Sequence, residues 1–293
     1  MLVTGARVAS PPMTYTLAIV VAVAQVTSRI RRITLEVGDP AALRLRPEGD
    51  AAVGVYFDPA PFDPDRSDPM SPNPGRNYTV RRHLVDGARE RIDLDVLVHC
   101  HGIGSTWAAT TTVGATVGLD HARSWYQPGV ADWQLLVADL SGLPAAARIV
   151  EQLPAGASVT ALVEVLDDDD LDYLPVRPGV TVIPTVGTGN GRGPSRLAEL
   201  VRTWPHPDGA GYCWFGGEAA ESRAVRKHFR GLGWTVDQLD VTGYWRSGSE
   251  VWDAKFARSG DEAVAAYSRA LADGKGAKVA AEEFDEALER AGL

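Results

Sequence analysis

Cysteine is nearly missing from this chain: two in 293 residues, Cys100 and Cys213, with no Cys-x-x-Cys pair. A zinc ribbon or a disulfide framework is thereby excluded, and the usage fits a reducing compartment, so a cytoplasmic location is expected. Positive charge is also in deficit. Lys and Arg number 29 against 38 Asp and Glu, for a net charge of −9 and an isoelectric point near 5.2. Nucleic-acid binding, which needs a basic face, is set aside. No apolar run approaches the ~20 residues that span a bilayer. The segment Leu17 to Val26 falls short of that and lacks the basic flank and cleavage site of a signal peptide; its β-branched residues predict a strand. No membrane insertion is expected. The Gly-x-Gly-x-x-Gly dinucleotide fingerprint is absent, and no internal repeat is found.

What remains is ordinary globular material, 45% hydrophobic and 23% charged, long enough for two domains. The first half reads as short β-branched strands at Tyr15–Val26, Arg31–Val37, Ala52–Phe57, Tyr78–Leu84, Ile92–His99 and Ala115–Leu119, separated by turn residues. That spacing predicts an antiparallel barrel or sandwich. The proline- and aspartate-rich stretch from Asp58 to Gly75 is a surface loop. The period then changes. Strands at Trp133–Ala138, Ser158–Leu166, Val180–Thr185, Tyr212–Gly216 and Thr235–Val241 alternate with helices at Ala145–Leu153, Ser195–Thr203 and Glu218–Leu232. Alternation of this kind predicts a parallel sheet covered on both faces. The boundary falls near Pro128 to Trp133, and Asp261–Leu293 reads as amphipathic helices broken at Gly274-Lys275-Gly276.

One stretch carries chemistry: Gly75-Arg76-Asn77-Tyr78-Thr79-Val80-Arg81-Arg82. On an extended strand alternate side chains share a face, so Arg76 and Tyr78 look one way and Asn77 and Thr79 the other. A cation beside a flat phenol suits a ligand with phosphate at one end and a planar ring at the other. The same string also fits a plain half-exposed strand.

A barrel followed by a parallel α/β domain is the layout of flavoprotein reductases. With Arg76-Asn77-Tyr78-Thr79-Val80-Arg81, Asp95-Val96-Leu97-Val98-His99, Gly104-Ser105-Thr106-Trp107-Ala108, Asp139 to Ala145, Trp214-Phe215-Gly216-Gly217-Glu218-Ala219-Ala220 and Gly243-Tyr244-Trp245-Arg246-Ser247-Gly248 in order, the chain resembles the siderophore-interacting proteins, FAD-dependent ferric-siderophore reductases. The resemblance implies an FAD-binding β-barrel over 14–130, a ferredoxin-reductase-like NAD(P)H-binding domain over 131–258 and a C-terminal helical extension over 259–293. It implies FAD contacts at Arg76 (pyrophosphate), Tyr78 (isoalloxazine), Thr79 and His99, and at Gly104, Ser105, Thr106 and Trp107 around a helix start. Ser105 and Thr106 are equally well read as ordinary helix caps. Leu119 to Tyr126 departs from the family's Gly-Pro-Arg-Gly-like turn.

For the nicotinamide, the resemblance implies contacts at Gly216, Gly217 and Glu218, where small residues allow close approach; Trp245 and Arg246, after the last strand, resemble the family's terminal Tyr-Trp-Arg motif near the flavin, although Trp245 is equally well read as a core tryptophan. The cations of the helix after Glu218 also fit a solvent face. Gly187 to Gly193 follows the third strand of its domain, not the first, so it is no fingerprint, although it lies on the edge where open α/β sheets bind ligands. Arg192 and Arg196 there could meet a 2′-phosphate; the acidic run Asp167–Asp170, read as a solvated loop, would repel one. Arg246 and Lys255 are candidate contacts for the ferric siderophore. Iron would arrive on its chelator, so no metal-ligand cluster is expected, and the cofactor rather than a protein nucleophile would do the chemistry. The function implied is NAD(P)H-dependent ferric-siderophore reduction in iron uptake, with ferredoxin as a possible donor. The alternatives are a non-catalytic siderophore- or flavin-binding protein and a general flavin reductase.

Overall fold

The computed structural model describes residues 15–57, 75–87, 89–99, 102–120 and 122–293; Cys100 and the loop expected at 58–74 lie outside them. The chain divides into two compact units. One comprises residues up to Val26, Arg31–Arg46 and Ala51–Arg123; the other comprises Thr27–Ile30, Pro47–Asp50 and Ser124–Leu293.

In the first unit, β1 (Tyr15–Gln25), β2 (Ile30–Val37), β3 (Ala52–Tyr56), β4 (Arg76–Asp86), β5 (Arg89–Leu97) and β6 (Thr116–Asp120) close an antiparallel barrel in the order β1-β2-β5-β4-β3-β6. Alternation decides which residues enter it. Ala18 and Val20 are buried while Leu17 and Ile19 face out, and β2 repeats the pattern with Ile33, Leu35 and Val37 inside. Each large aliphatic side chain buried this way stabilises the barrel by about 1.5–3 kcal/mol. In β4 the pairing with β5 slips between Val80 and Arg82. The slip is why Thr79, Val80 and Arg81 are all buried in succession, where simple alternation predicts one of them outside. Among the described residues of this unit the helices are α1 (Pro40–Leu43) and α2 (Ile103–Thr110).

The second unit is built on a fully parallel sheet, β7 (Trp133–Ala138), β8 (Val159–Val165), β9 (Val180–Val186), β10 (Gly211–Glu218) and β11 (Leu239–Trp245), in the order β11-β10-β7-β8-β9. Its helices are α3 (Leu143–Gln152), α4 (Leu197–Thr203), α5 (Ala219–Gly231), α6 (Ser249–Ser259), α7 (Asp261–Ala272) and α8 (Gly276–Arg290). The strand order reverses between β7 and β10, so the carboxyl ends of those strands form the switch point where open α/β sheets take ligands.

Three local expectations need correction. Residues 236–238 form a 3-10 turn and the last strand is Leu239–Trp245, because Gln238 reaches back to Thr235 in a capping box. Trp245 therefore ends the strand instead of following it. Asp167–Asp170 is solvated only in part: Asp167, Asp168 and Asp169 are exposed, but Asp170 is buried and accepts the amides of Leu166 and Asp167. The C-terminal helices begin at Ser249. Among the described residues no helix is long and apolar enough to cross a membrane.

Candidate functional site

On the barrel unit, Tyr78 of β4 is half-buried in an aromatic trio. Its ring centroid lies 6.3 Å from both Phe57 and Trp107, and Phe57 and Trp107 are 4.9 Å apart. Trp107 comes from α2, and Gly104, at the start of that helix, explains how the trio closes. A Cβ on Gly104 would fall 1.8 Å from the Tyr78 hydroxyl oxygen. Only glycine lets the phenol lie on the helix backbone. Gly102 at the N-cap has φ +95° and contributes no side chain, and the first turn has no capping side chain. Amides at an uncapped helix start form a natural seat for an oxyanion. Burial pushes the Tyr78 hydroxyl well above the usual phenol range, against the opposing charge of Arg76, so it stays a neutral donor.

The other predicted residues on this unit separate. Arg76 is exposed at the start of β4, and Thr79 is buried opposite Ala52. His99 lies two residues beyond the end of β5 and is exposed, so it does not close the strand as the sequence suggested. The Ser105 hydroxyl is already spent: it donates to the His99 carbonyl at 2.5 Å and accepts the His99 amide at 2.7 Å. It fastens the loop to α2 and is not available as a donor to a ligand. Thr106 is exposed, with its hydroxyl turned back to the Gly102 carbonyl at 3.0 Å. Phe57 was missed; the signal was an aromatic closing the strand that pairs with Arg76-Asn77-Tyr78-Thr79. Asp120 and Arg123 were missed too. Arg123 holds Asp120 at 2.6 Å and donates to Asn77 at 2.9 Å, tying the turn after β6 to the chemistry-bearing strand.

On the α/β unit, Asp139 stands at the switch point, after β7. Its carboxylate accepts the Ser141 amide (2.8 Å), the Ser141 hydroxyl (2.6 Å) and the Trp245 indole N–H (2.5 Å). Burial raises its pKa, and these donors pull it back down. Gly216 and Gly217 are buried within β10, so the strand-to-helix turn comes later than expected, at Glu218. Their size is set by neighbours: a Cβ on Gly217 would come 3.0 Å from Asp139, and one on Gly216 would come 2.8 Å from Trp214.

Carboxylates of the chain itself occupy several amides along this edge. Glu218 caps α5 through the Ala220 and Glu221 amides and also accepts the Ser247 amide. Glu221 takes the Ala198 amide at the start of α4, and buried Glu164 takes the Arg196 amide and the Thr188 hydroxyl. A Cβ on Gly189 would lie 1.8 Å from Glu164 Oε2. Gly189 thus lets loop 187–193 lie against a carboxylate of the chain itself, while Gly191 faces Trp245. Arg196 pairs with Glu199 at 3.2 Å and Arg192 is exposed. The expected solvent face of α5 holds in part: Lys227 and Arg230 are exposed, Arg230 lying 3.5 Å from Glu282, whereas Arg226 pairs with Asp285 and donates to the Val241 carbonyl. Arg246 stacks on Trp252, 4.0 Å from the ring centroid. Lys255 is exposed on α6.

Two family descriptions match the chain, the Siderophore-interacting FAD-binding domain over residues 19–123 and the Siderophore-interacting protein over 131–248. A solved siderophore utilization protein from T. fusca is 31% identical, with a TM-score of 0.68, over 81% of this chain and 95% of that one. The ferric vibriobactin reductase ViuB of Vibrio cholerae is 29% identical over 59% of this chain and 65% of its own. In fold alone, the ferredoxin reductase in carbazole 1,9a-dioxygenase is similar, at 16% identity and a TM-score of 0.56, over 81% of this chain and 71% of its own. The barrel-plus-parallel-sheet architecture is therefore ferredoxin-reductase-like.

Proposed function

The chain belongs to the siderophore-interacting protein family, and from that membership we propose that it is an FAD-dependent ferric-siderophore reductase, working in the cytoplasm in iron uptake with NAD(P)H as donor. The observation that carries this reading is the phenol of Tyr78 lying on Gly104 at the uncapped start of α2. This cradle fits FAD: Tyr78, Phe57 and Trp107 supply an apolar wall for a flat ring, and the α2 amides with Arg76 supply donors for a diphosphate. Bound FAD would supply the electron transfer between a two-electron donor and Fe(III). The residues hold and shield; none needs to act as nucleophile or base. Iron is substrate here, delivered on its chelator, and weaker binding of Fe(II) by hard oxygen ligands releases it. Arg246 and Lys255 are the proposed contacts for the chelate.

The nicotinamide would lie at the ends of β7 and β10, among Gly216, Gly217, Glu218 and Trp245. Ferredoxin is kept as a second donor: Glu218, Glu221 and Glu164 hold amides along this edge, which leaves fewer of them for the phosphates of a dinucleotide. Initial rates with NADH, NADPH and reduced ferredoxin, each against ferric siderophores and free flavin, test the proposal. Ferric siderophore reduction well above free-flavin reduction is expected. Equal or faster turnover of free flavin would make the protein a general flavin reductase. Chelate binding with no turnover from any donor would make it a binding protein.

A further inference from the structure

We infer that Trp252, on α6 and beyond the segment matched to either family description, is a positioning residue that holds the Arg246 guanidinium ready for an anionic, oxygen-rich ferric chelate. The inference rests on Arg246 being a substrate contact.

Arg246 follows β11 and its guanidinium carbon stands 4.0 Å from the centre of the Trp252 ring. Tryptophan is the best cation–π face among the side chains. The indole is not held there for its N–H, which is buried without an acceptor among the described residues. What fixes the ring is packing: Phe256, one turn along α6, stacks on it at 4.8 Å and 18°. Phe256 in turn touches Phe284 of α8, so the ring is braced by the whole C-terminal extension.

The guanidinium it holds is unspent. No ion pair to Arg246 or to Arg223 is found among the described residues. The nearby carboxylates are partly committed elsewhere, Glu218 to the amides of α5 and Ser247, and Asp285 to Arg226; Asp253 is exposed on α6. Burial and the neighbouring Arg223 both disfavour the Arg246 charge. Two cations brought together, one clamped on a ring, make a place that gains from an incoming anion. A freely rotating arginine would lose rotamer freedom on binding; one already stacked loses less.

The test uses the FAD-loaded full-length protein and gallium(III) complexes, which bind as their ferric counterparts do but are not reduced. Calorimetry would measure binding of a trianionic tris-catecholate and a neutral tris-hydroxamate to wild type, Trp252→Leu, Trp252→Phe and Arg246→Ala. Val251→Ala serves as a control at a 65% exposed neighbour. Melting temperature and bound-flavin absorbance check folding. The expected result is a roughly tenfold weaker tris-catecholate complex for Trp252→Leu, little change for the neutral chelate, and substantial rescue by Trp252→Phe, which keeps a ring face. Weakening of both chelates alike, or no effect of Trp252→Leu where Arg246→Ala does weaken binding, would overturn the inference. Failure of Arg246→Ala to matter would overturn it as well, while leaving the reductase reading intact. Failure of wild type to bind either complex would remove the substrate reading itself.

Discussion

At the scale of single residues, glycines and buried carboxylates shape both sites. Gly104 is the sharpest case, since even one methyl there collides with the Tyr78 hydroxyl. Gly104→Ala should displace the phenol or the start of α2, and the protein should be purified with at least several-fold less flavin per chain, read as the ratio of visible to ultraviolet absorbance. Retention of full flavin would remove the cradle from the account. Asp139 has the corresponding place in the α/β unit. Asp139→Ala leaves the Trp245 indole N–H and the Ser141 amide without their acceptor. Both donors are half-buried, so each one stranded costs about 1 kcal/mol, and the variant should melt at lower temperature. Freed of its carboxylate, Trp245 should also change its fluorescence; an unaltered melt and spectrum would show that the bond contributes nothing.

At the scale of elements, the C-terminal helices are fastened to the sheet by charge. Lys278 of α8 lies 2.9 Å from Asp240 of β11, and Tyr212 also donates to Asp240. Burial raises the Asp240 pKa from 3.8 to about 6, although Tyr212 and Lys278 oppose the shift. A folded-state pKa above the unfolded one means that the fold takes up the proton more readily. The resulting stability is fully present below pH 3.8 and is lost as pH rises through 6. Denaturant titrations of wild type and Asp240→Asn should therefore show wild type gaining on the variant by about 1 kcal/mol between pH 7.5 and 5. A difference independent of pH would contradict the assignment.

These same elements show what the sequence could reveal. Alternation along Tyr15–Val26 and the switch from strands to strand-plus-helix after Trp133 report local burial, and both architectures follow from them. The solvent face of α5 is legible except at Arg226, because Asp285, which engages it, lies more than fifty residues further on. The same holds for Ser105: its cap-like sequence is visible, but its commitment to His99 depends on how the loop folds back. The slip that buries Arg81 has no periodic signature either, since a bulge is a break in the period.

At the scale of the whole molecule, family membership and fold agree, and each unit carries one set of site residues: the Tyr78 cradle in the barrel, and the Asp139–Trp245 edge with Arg246 in the α/β unit. The first set is proposed to hold a flavin able to pass electrons to ferric chelates. The most direct test of this proposal is the visible spectrum of the purified protein, anaerobically, before and after a donor and then after a ferric siderophore. Flavin bands should bleach with NADH, NADPH or reduced ferredoxin and return when the ferric siderophore is added. A protein that is colourless as purified and gains no bands with added FAD would contradict it.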